Sequence, residues 1–309
     1  MCDTIQKPGG DAAVVRIHGK NKGISMTVDS SPHYCKAHPF TGGKQVVCES
    51  WRNLISVGSR PIAITNCLNF GNPEKKEIMG QFVECTNGIS EACKYLNYPV
   101  VSGNVSFYNE TNNQGINPTP TIGGVGLIDD IKNMITFNIK RKNTYLMVIG
   151  RTNGHLDQSI FLREVIGIKK GPPPEINLFN EKNNGNTIQE LIAKRMLLSV
   201  HDISLGGILI SISEMCIAGN VGAKIILPKH LINIYEYLFG EDQSRYIIEI
   251  EKENLKNINL ILEKNGVFGE IIAITQENKL ELNKEFSISV SELKKTNNIW
   301  FDKYFNQSK

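Results

Sequence analysis

Two stretches decide how this chain is read: Pro61-Ile-Ala-Ile-Thr-Asn-Cys-Leu-Asn-Phe-Gly-Asn-Pro-Glu74 and Ser102-Gly-Asn-Val-Ser-Phe-Tyr-Asn-Glu110. Each is, or directly follows, an apolar run that breaks into Gly and Asn. Between them Ile78, Phe82, Cys85, Ile89, Cys93 and Leu96 recur at alternating gaps of four and three, the period of an amphipathic helix. The pattern predicts strand, helix, strand, with polar groups and close-approaching backbone delivered at the strand tips. If the second strand runs on from Val100 and Val101 to Ser106, Asn104 and Ser106 share one face. Gly103 lets main-chain N–H groups come close to a phosphate. An amide oxygen and a hydroxyl suit a hard cation whose charge is balanced by carboxylates or phosphates. The same residues also fit a glycine-bearing turn with a capping Asn and Ser, and Asn66 to Pro73 fit a long turn.

Outward from this unit, 309 residues imply two domains, each large enough for its own core. With 40% hydrophobic and 21% charged residues the composition is that of an ordinary globular protein. The formal net charge of +3 is small and the lysines are scattered, which argues against a nucleic-acid surface. No apolar run is long enough to span a membrane, and the N-terminus lacks a signal-peptide pattern. Seven cysteines without a Cys-x-x-Cys pair, mostly inside apolar patterns, suggest reduced thiols and a cytoplasmic protein.

Residues 1 to 10 read as a lead-in. Asp11 to His18 and Gly23 to Val28 read as strands, and Ser30 to Gly43 as a loop in which His33, Cys35 and His38 are too crowded for a zinc site. Lys44 to Val57 is helical by period, with Glu49 and Asn53 four apart on one face. Thr121 to Ile128 reads as a buried strand. Polar residues 129 to 143 make the best boundary, giving domains 1–135 and 136–309. In the second domain, helices are expected over Leu156 to Ile168, Thr187 to Leu198, Gly206 to Ala218 and Leu255 to Glu263, with a surface loop at Asn183 to Asn186. Strands are expected at Tyr145 to Ile149, Ser199 to Ile203, Ala223 to Leu227, Tyr246 to Ile250 and Val267 to Thr275, and a final helix carries Trp300, Phe301, Tyr304 and Phe305. The alternation gives two α/β (α+β) modules in series. His201-Asp202-Ile203-Ser204 before Gly206-Gly207 offers a carboxylate, a hydroxyl and a helix N-terminus, equally a capping arrangement and a phosphate site. No nucleophile triad, Walker loop or Rossmann fingerprint is present.

Asn-Cys-Leu-Asn-Phe-Gly-Asn-Pro-Glu (66–74) and Gly-Asn-Val-Ser-Phe-Tyr-Asn-Glu (103–110) resemble the second half of phosphoribosylformylglycinamidine synthase, in its large synthetase subunit. Pro-Gly-Gly-Asp-Ala-Ala-Val (8–14), Ile-Ser-Glu-Ala-Cys (89–93), His-Asp-Ile-Ser-Leu-Gly-Gly (201–207) and Gly-Glu-Asp-Gln-Ser-Arg-Tyr (240–246) resemble it too, in the family's order. The resemblance implies two modules like the N- and C-terminal domains of aminoimidazole ribonucleotide synthetase, the first offering a barrel-forming sheet. It implies an ATP-dependent C–N ligase of purine biosynthesis: ATP phosphorylates the amide oxygen of formylglycinamide ribonucleotide, and ammonia displaces the phosphate.

By the resemblance, Asn66 and Gly103 contact ATP, Asn104 is a Mg²⁺ ligand and Ser106 contacts the substrate. Many family members have Asp in place of Asn66. Asp11, Asp29, Glu49, Asn53, Asp202 and Ser204 correspond to a second nucleotide–Mg²⁺ site, although Leu205 stands where the family has an acidic residue. The family's catalytic histidine lies in its first half, so no catalytic residue is expected here. This chain reads as a separately encoded or truncated C-terminal half, needing an N-terminal half, a glutaminase subunit and a small bridging subunit. Alone it should expose its pairing sheet and tend to homodimerise. The alternatives are a related ATP-using enzyme such as a selenophosphate synthetase or thiamine-phosphate kinase, and a non-catalytic nucleotide-binding or assembly subunit or remnant of a split gene.

Overall fold

The computed structural model describes residues 4–6, 9–229, 233–283 and 285–306, so part of the lead-in, including Pro8 of the first matching motif, lies outside the described residues. In chain order the elements are β1 (Ala13–Arg16), β2 (Gly23–Ser30), α1 (Pro32–Ala37), α2 (Pro39–Ser56), β3 (Arg60–Asn69), α3 (Lys76–Leu96), β4 (Val100–Ser106), the hairpin β5 (Glu110–Thr111) and β6 (Gln114–Gly115), and β7 (Thr119–Ile128). After a linking segment come β8 (Tyr145–Ile149), α4 (Leu178–Ala193), β9 (Ser199–Asp202), α5 (Gly207–Gly219), β10 (Gly222–Ile225), α6 (Ile234–Phe239), β11 (Tyr246–Ile250), α7 (Leu255–Asn265), β12 (Gly269–Gln276), β13 (Lys279–Leu282), β14 (Phe286–Ser289) and α8 (Val290–Asn306).

The first sheet has the order β1-β2-β7-β3-β4, and the second β14-β13-β10-β12-β8-β11-β9. β3 and β4 are parallel, joined by α3 as the strand–helix–strand pattern requires. Among the described residues the first sheet is covered on one face only. On β2, Ser25 and Thr27 are buried beneath α2, whereas Met26 and Val28 point the other way, 41% and 75% exposed. β7 alternates likewise, with Ile122 buried and Val125 exposed, which corrects the expectation of a strand buried on both faces.

α2 joins the two halves. His38 accepts a hydrogen bond from Thr41 N at its start and Pro39 fills the first turn, so the helix begins five residues earlier than its apolar period suggests. This, with α1, replaces the expected 30–43 loop and occupies His38 in capping. Cys48, Trp51 and Ile55 of α2 share one core with Met147, Ile149, Val200 and Tyr246 of the second sheet. A second core lies across that sheet, built on Leu146, Val148, Ile208, Ile212 and Ile247.

Three further expectations are corrected. Asn183 to Asn186 lie inside α4: Gly185 leaves room for the Trp51 ring, and the Asn184 amide donates to Ser244 O at 2.8 Å. Tertiary contacts outweigh the low helix propensity of that run. The helix expected over Leu156 to Ile168 is only the π-helical turn Phe161–Ile166, closed by Gly167 at φ +81°. The helix expected to reach Leu198 ends at Ala193.

Candidate functional site

The two Gly/Asn tips lie side by side. Parallel pairing sets Asn66 beside Gly103, Cys67 beside Asn104, Leu68 beside Val105 and Asn69 beside Ser106. Since strand side chains alternate, the sheet divides the four predicted residues between its faces. Asn66 faces α3, where it lines a cavity of about 370 Å³ with Thr86, Ser90, Cys93 and Tyr98. Its carboxamide oxygen takes the space above Gly103. Asn104 and Ser106 stand together on the open face, as their spacing predicts. β4 is an edge strand, exposed along most of its length, so both faces are reachable round it.

Asn109 holds the tips in register. Its Nδ2 donates to Phe70 O at 2.9 Å, to Ser106 O at 2.9 Å and to Ser106 Oγ at 3.2 Å. Below it the Glu110 carboxylate accepts from Asn72 N at 3.1 Å and from Lys75 Nζ at 2.7 Å, which lowers its pKa. The lysine hydrogen bond is the main cause. Motif matching gave neither residue a role, although both belong to the 103–110 stretch.

A second cluster lies between the two domains. Asp11, Asp29, Asn53, Asp202 and Ser204 line one cavity of about 400 Å³, with His201 and Glu214. Asp29 accepts from Thr27 Oγ1 at 2.7 Å and from Asn53 Nδ2 at 2.8 Å; Ser31 donates to Glu49 at 3.3 Å. Burial raises the carboxyl pKa values, to about 6 for Asp29, about 8 for Glu49 and about 7 for Asp202, and the nearby carboxylates add to it. Burial opposes the charge of His201, but Asp11 at 2.6 Å and Glu214 at 3.1 Å outweigh it and raise its pKa well above the usual value.

Oxygen and nitrogen atoms of Asp11, His201 and Asp202 lie within 4.8 Å of one another. Asp202 is 4% exposed, and its Oδ2 has no hydrogen-bond partner. A buried carboxylate oxygen without a donor, among groups whose negative charge burial already disfavours, fits a bound divalent cation. Leu205, where the family is acidic, is exposed and adds no ligand.

Behind this cluster Arg52 is fully buried. Its Nη1 contacts both Glu181 oxygens at 3.0 and 3.1 Å, its Nη2 donates to Gln243 at 3.2 Å, and its Nε lies 3.7 Å from Asp202 Oδ2. Burial disfavours its charge, but Glu181, Asp202 and Glu49 hold its pKa above the ordinary value. The glycines before α5 do not offer an open anion site. The buried carboxylate of Glu241 accepts from Gly206 N at 2.8 Å and from Ile160 N at 2.8 Å, and from the Tyr34 hydroxyl. A protein carboxylate thus takes the place a phosphate would occupy there.

Residues 9–128 match the family model AIR synthase related protein, N-terminal domain, and residues 144–283 its C-terminal domain. The chain is similar to phosphoribosylformylglycinamidine synthase subunit PurL of Pelagibacter ubique, 58% identical over 98% of this chain and 42% of that protein. PurL of Rhodopseudomonas palustris is 45% identical over 98% of this chain and 41% of that protein. The chain therefore spans less than half the length of these curated relatives. In fold it resembles Thermotoga maritima PurL complexed with FGAR, at a TM-score of 0.76 and 18% identity, over 95% of this chain and 47% of that one.

Proposed function

The chain belongs to the AIR synthase related family, and from that premise we propose that it is the C-terminal half of an ATP-dependent phosphoribosylformylglycinamidine synthase. We propose the division between domains at residues 135 and 136. The single observation that carries the reading is the pairing of the two Gly/Asn tips on an edge strand, beside a sheet face on which none of the described residues pack a covering layer. Asn66 and Gly103 would contact ATP, Asn104 would hold Mg²⁺ and Ser106 would meet formylglycinamide ribonucleotide. The Thermotoga protein has been solved with ATP and with FGAR, which supports these ligand classes. Mg²⁺ would neutralise phosphoryl charge while the amide oxygen is phosphorylated and ammonia displaces phosphate. Asn104 and Ser106 alone give too little charge for this, so the complementary half is required to supply carboxylates and the catalytic base. A PurLQS assembly from Thermotoga supports glutaminase and bridging partners. Among the described residues no helix is long and apolar enough to cross a membrane, in keeping with a cytoplasmic enzyme.

A second reading has its own observation. The acid-lined cavity is built wholly from residues of this chain, whereas the strand tips are open. A nucleotide–Mg²⁺ complex held by Asp11, Asp29, Glu49, Asn53 and Asp202 would then serve assembly, not turnover.

Reconstitution separates the two. The chain is combined with the N-terminal half of its Pelagibacter relative, ATP, Mg²⁺, ammonia and substrate, and phosphate release is followed. Asn104→Ala and Ser106→Ala are each expected to lower the rate more than tenfold. Full activity in both variants would remove the strand tips from the mechanism.

A further inference from the structure

Another cavity lies apart from the strand-tip face and the acid-lined cluster. It measures about 800 Å³ and opens where β8 ends at Ile149, walled by the 150–157 loop, the 175–177 segment, the start of α4 and the loop before β11. That volume lies in the ~300–1,000 Å³ range of small-molecule sites.

Six polar side chains converge on it without a hydrogen-bond or ion-pair partner among the described residues: Arg151, Asn153, Asp157, Glu175, Asn180 and Glu236. Asp242, in the same wall, differs. Its carboxylate is taken up by the amides of Asn153 at 3.0 Å and Gly154 at 2.8 Å, which fixes the 150–157 loop. The lone unpaired cation, Arg151, lies over the Phe268 ring at 5.0 Å from its centroid. Stacking of this kind holds the guanidinium fork in one plane, the geometry suited to a bidentate anion. The Asn177 side chain caps α4 by accepting from Asn180 N at 3.1 Å, so the first-turn amides adjoin the same space.

The three unpaired carboxylates of Asp157, Glu175 and Glu236 would repel a polyanion, and an apolar ligand would leave them and the carboxamides desolvated without partners. They are the groups that bind sugar hydroxyls, which donate to carboxylates and both donate to and accept from amides. One fixed cation beside several hydroxyl-binding groups matches a ligand with a single anionic end and a hydroxyl-bearing body. We propose that this cavity is a binding site for a sugar phosphate. The site is distinct from the strand tips and does not depend on the ligase reading.

The test uses the full chain alone, without ATP or Mg²⁺, titrated calorimetrically with ribose 5-phosphate, ribose and inorganic phosphate. Ribose 5-phosphate is expected to bind at least tenfold more tightly than either fragment. Arg151→Met, which keeps the contact with Phe268, is expected to weaken it at least tenfold. Asn180→Ala is expected to weaken it severalfold. Both Arg151 and Asn180 are exposed, so the variants should fold, and thermal melts would check this. Three outcomes would each overturn the proposal: no binding of ribose 5-phosphate at millimolar concentration, equal affinity in Arg151→Met, or inorganic phosphate binding as tightly as the sugar phosphate.

Discussion

Asn66 and Gly103 are neighbours on parallel strands, and the Asn66 side chain occupies the volume that any side chain at position 103 would need. A Cβ there would also lie 2.8 Å from Asn66 O, and backbone cannot move aside cheaply. Glycine at 103 is therefore required by the strand partner as well as by any ligand. Gly103→Ala is expected to destabilise the chain by about 1–3 kcal/mol, the usual cost of overpacking. The same change in an Asn66→Ala background should cost less, and a double-mutant cycle from urea melts measures the difference. Additive effects would mean that the two residues do not contend for the same space.

The Asn109 carboxamide ties Ser106 to Phe70, just past the end of β3, through Nδ2 contacts to Phe70 O, Ser106 O and Ser106 Oγ. In the reconstituted enzyme, Asn109→Ala should raise KM for the ribonucleotide substrate, by roughly tenfold if a misplaced contact group is the cause. Asn109→Gln, whose longer arm cannot keep all three bonds, should not restore it. A change in melting temperature with unaltered KM would make Asn109 merely structural.

Folding stability should depend on pH in a defined direction. Burial and neighbouring carboxylates place the folded-state pKa values of Asp29, Asp202 and Glu49 at about 6, about 7 and about 8, all above their usual values. Between the usual and the raised values the folded protein holds protons that the unfolded chain has released, so stability falls as pH rises through this window. Melting temperature in EDTA should drop from about pH 5 to about pH 8. Mg²⁺ should raise it, more at the alkaline end, because only ionised carboxylates bind the ion. A melting temperature indifferent to Mg²⁺ at every pH would show that the cavity holds no cation.

The Arg52–Glu181 pair is fully buried on both sides. Removing one partner leaves an uncompensated charge, so Glu181→Ala should cost about 3–5 kcal/mol in a chemical denaturation experiment. Replacing both residues by apolar ones of similar volume should cost less.

The open sheet face carries Met26, Val28 and Val125 with no covering element among the described residues. Sedimentation of the chain alone should show self-association, whether by homodimerisation or less specifically. Val28→Lys should favour the monomer and block reconstitution with the missing half. A wild-type chain that sediments as a well-behaved monomer would count against a pairing role for this face.

Much of the fold follows from local chemistry. The period of Ile78 to Leu96 made α3, and a helix between the two strand runs supplies the crossover that their parallel pairing needs. The spacing of Asn104 and Ser106 put them on one face for the same local reason: alternation is a property of any strand. Tertiary structure decided the rest. It set Asn66 on the opposite face from Asn104, because register depends on the partner strand. It made Asn183 to Asn186 helical, because Trp51 and Ser244 reward a close approach that propensity alone opposes. It plugged the α5 N-terminus with Glu241 and gathered Asp11, Asp29 and Asp202 from positions far apart in the chain. Local periodicity reports which side of an element is apolar. Which polar groups meet across two domains is settled only when the chain closes on itself.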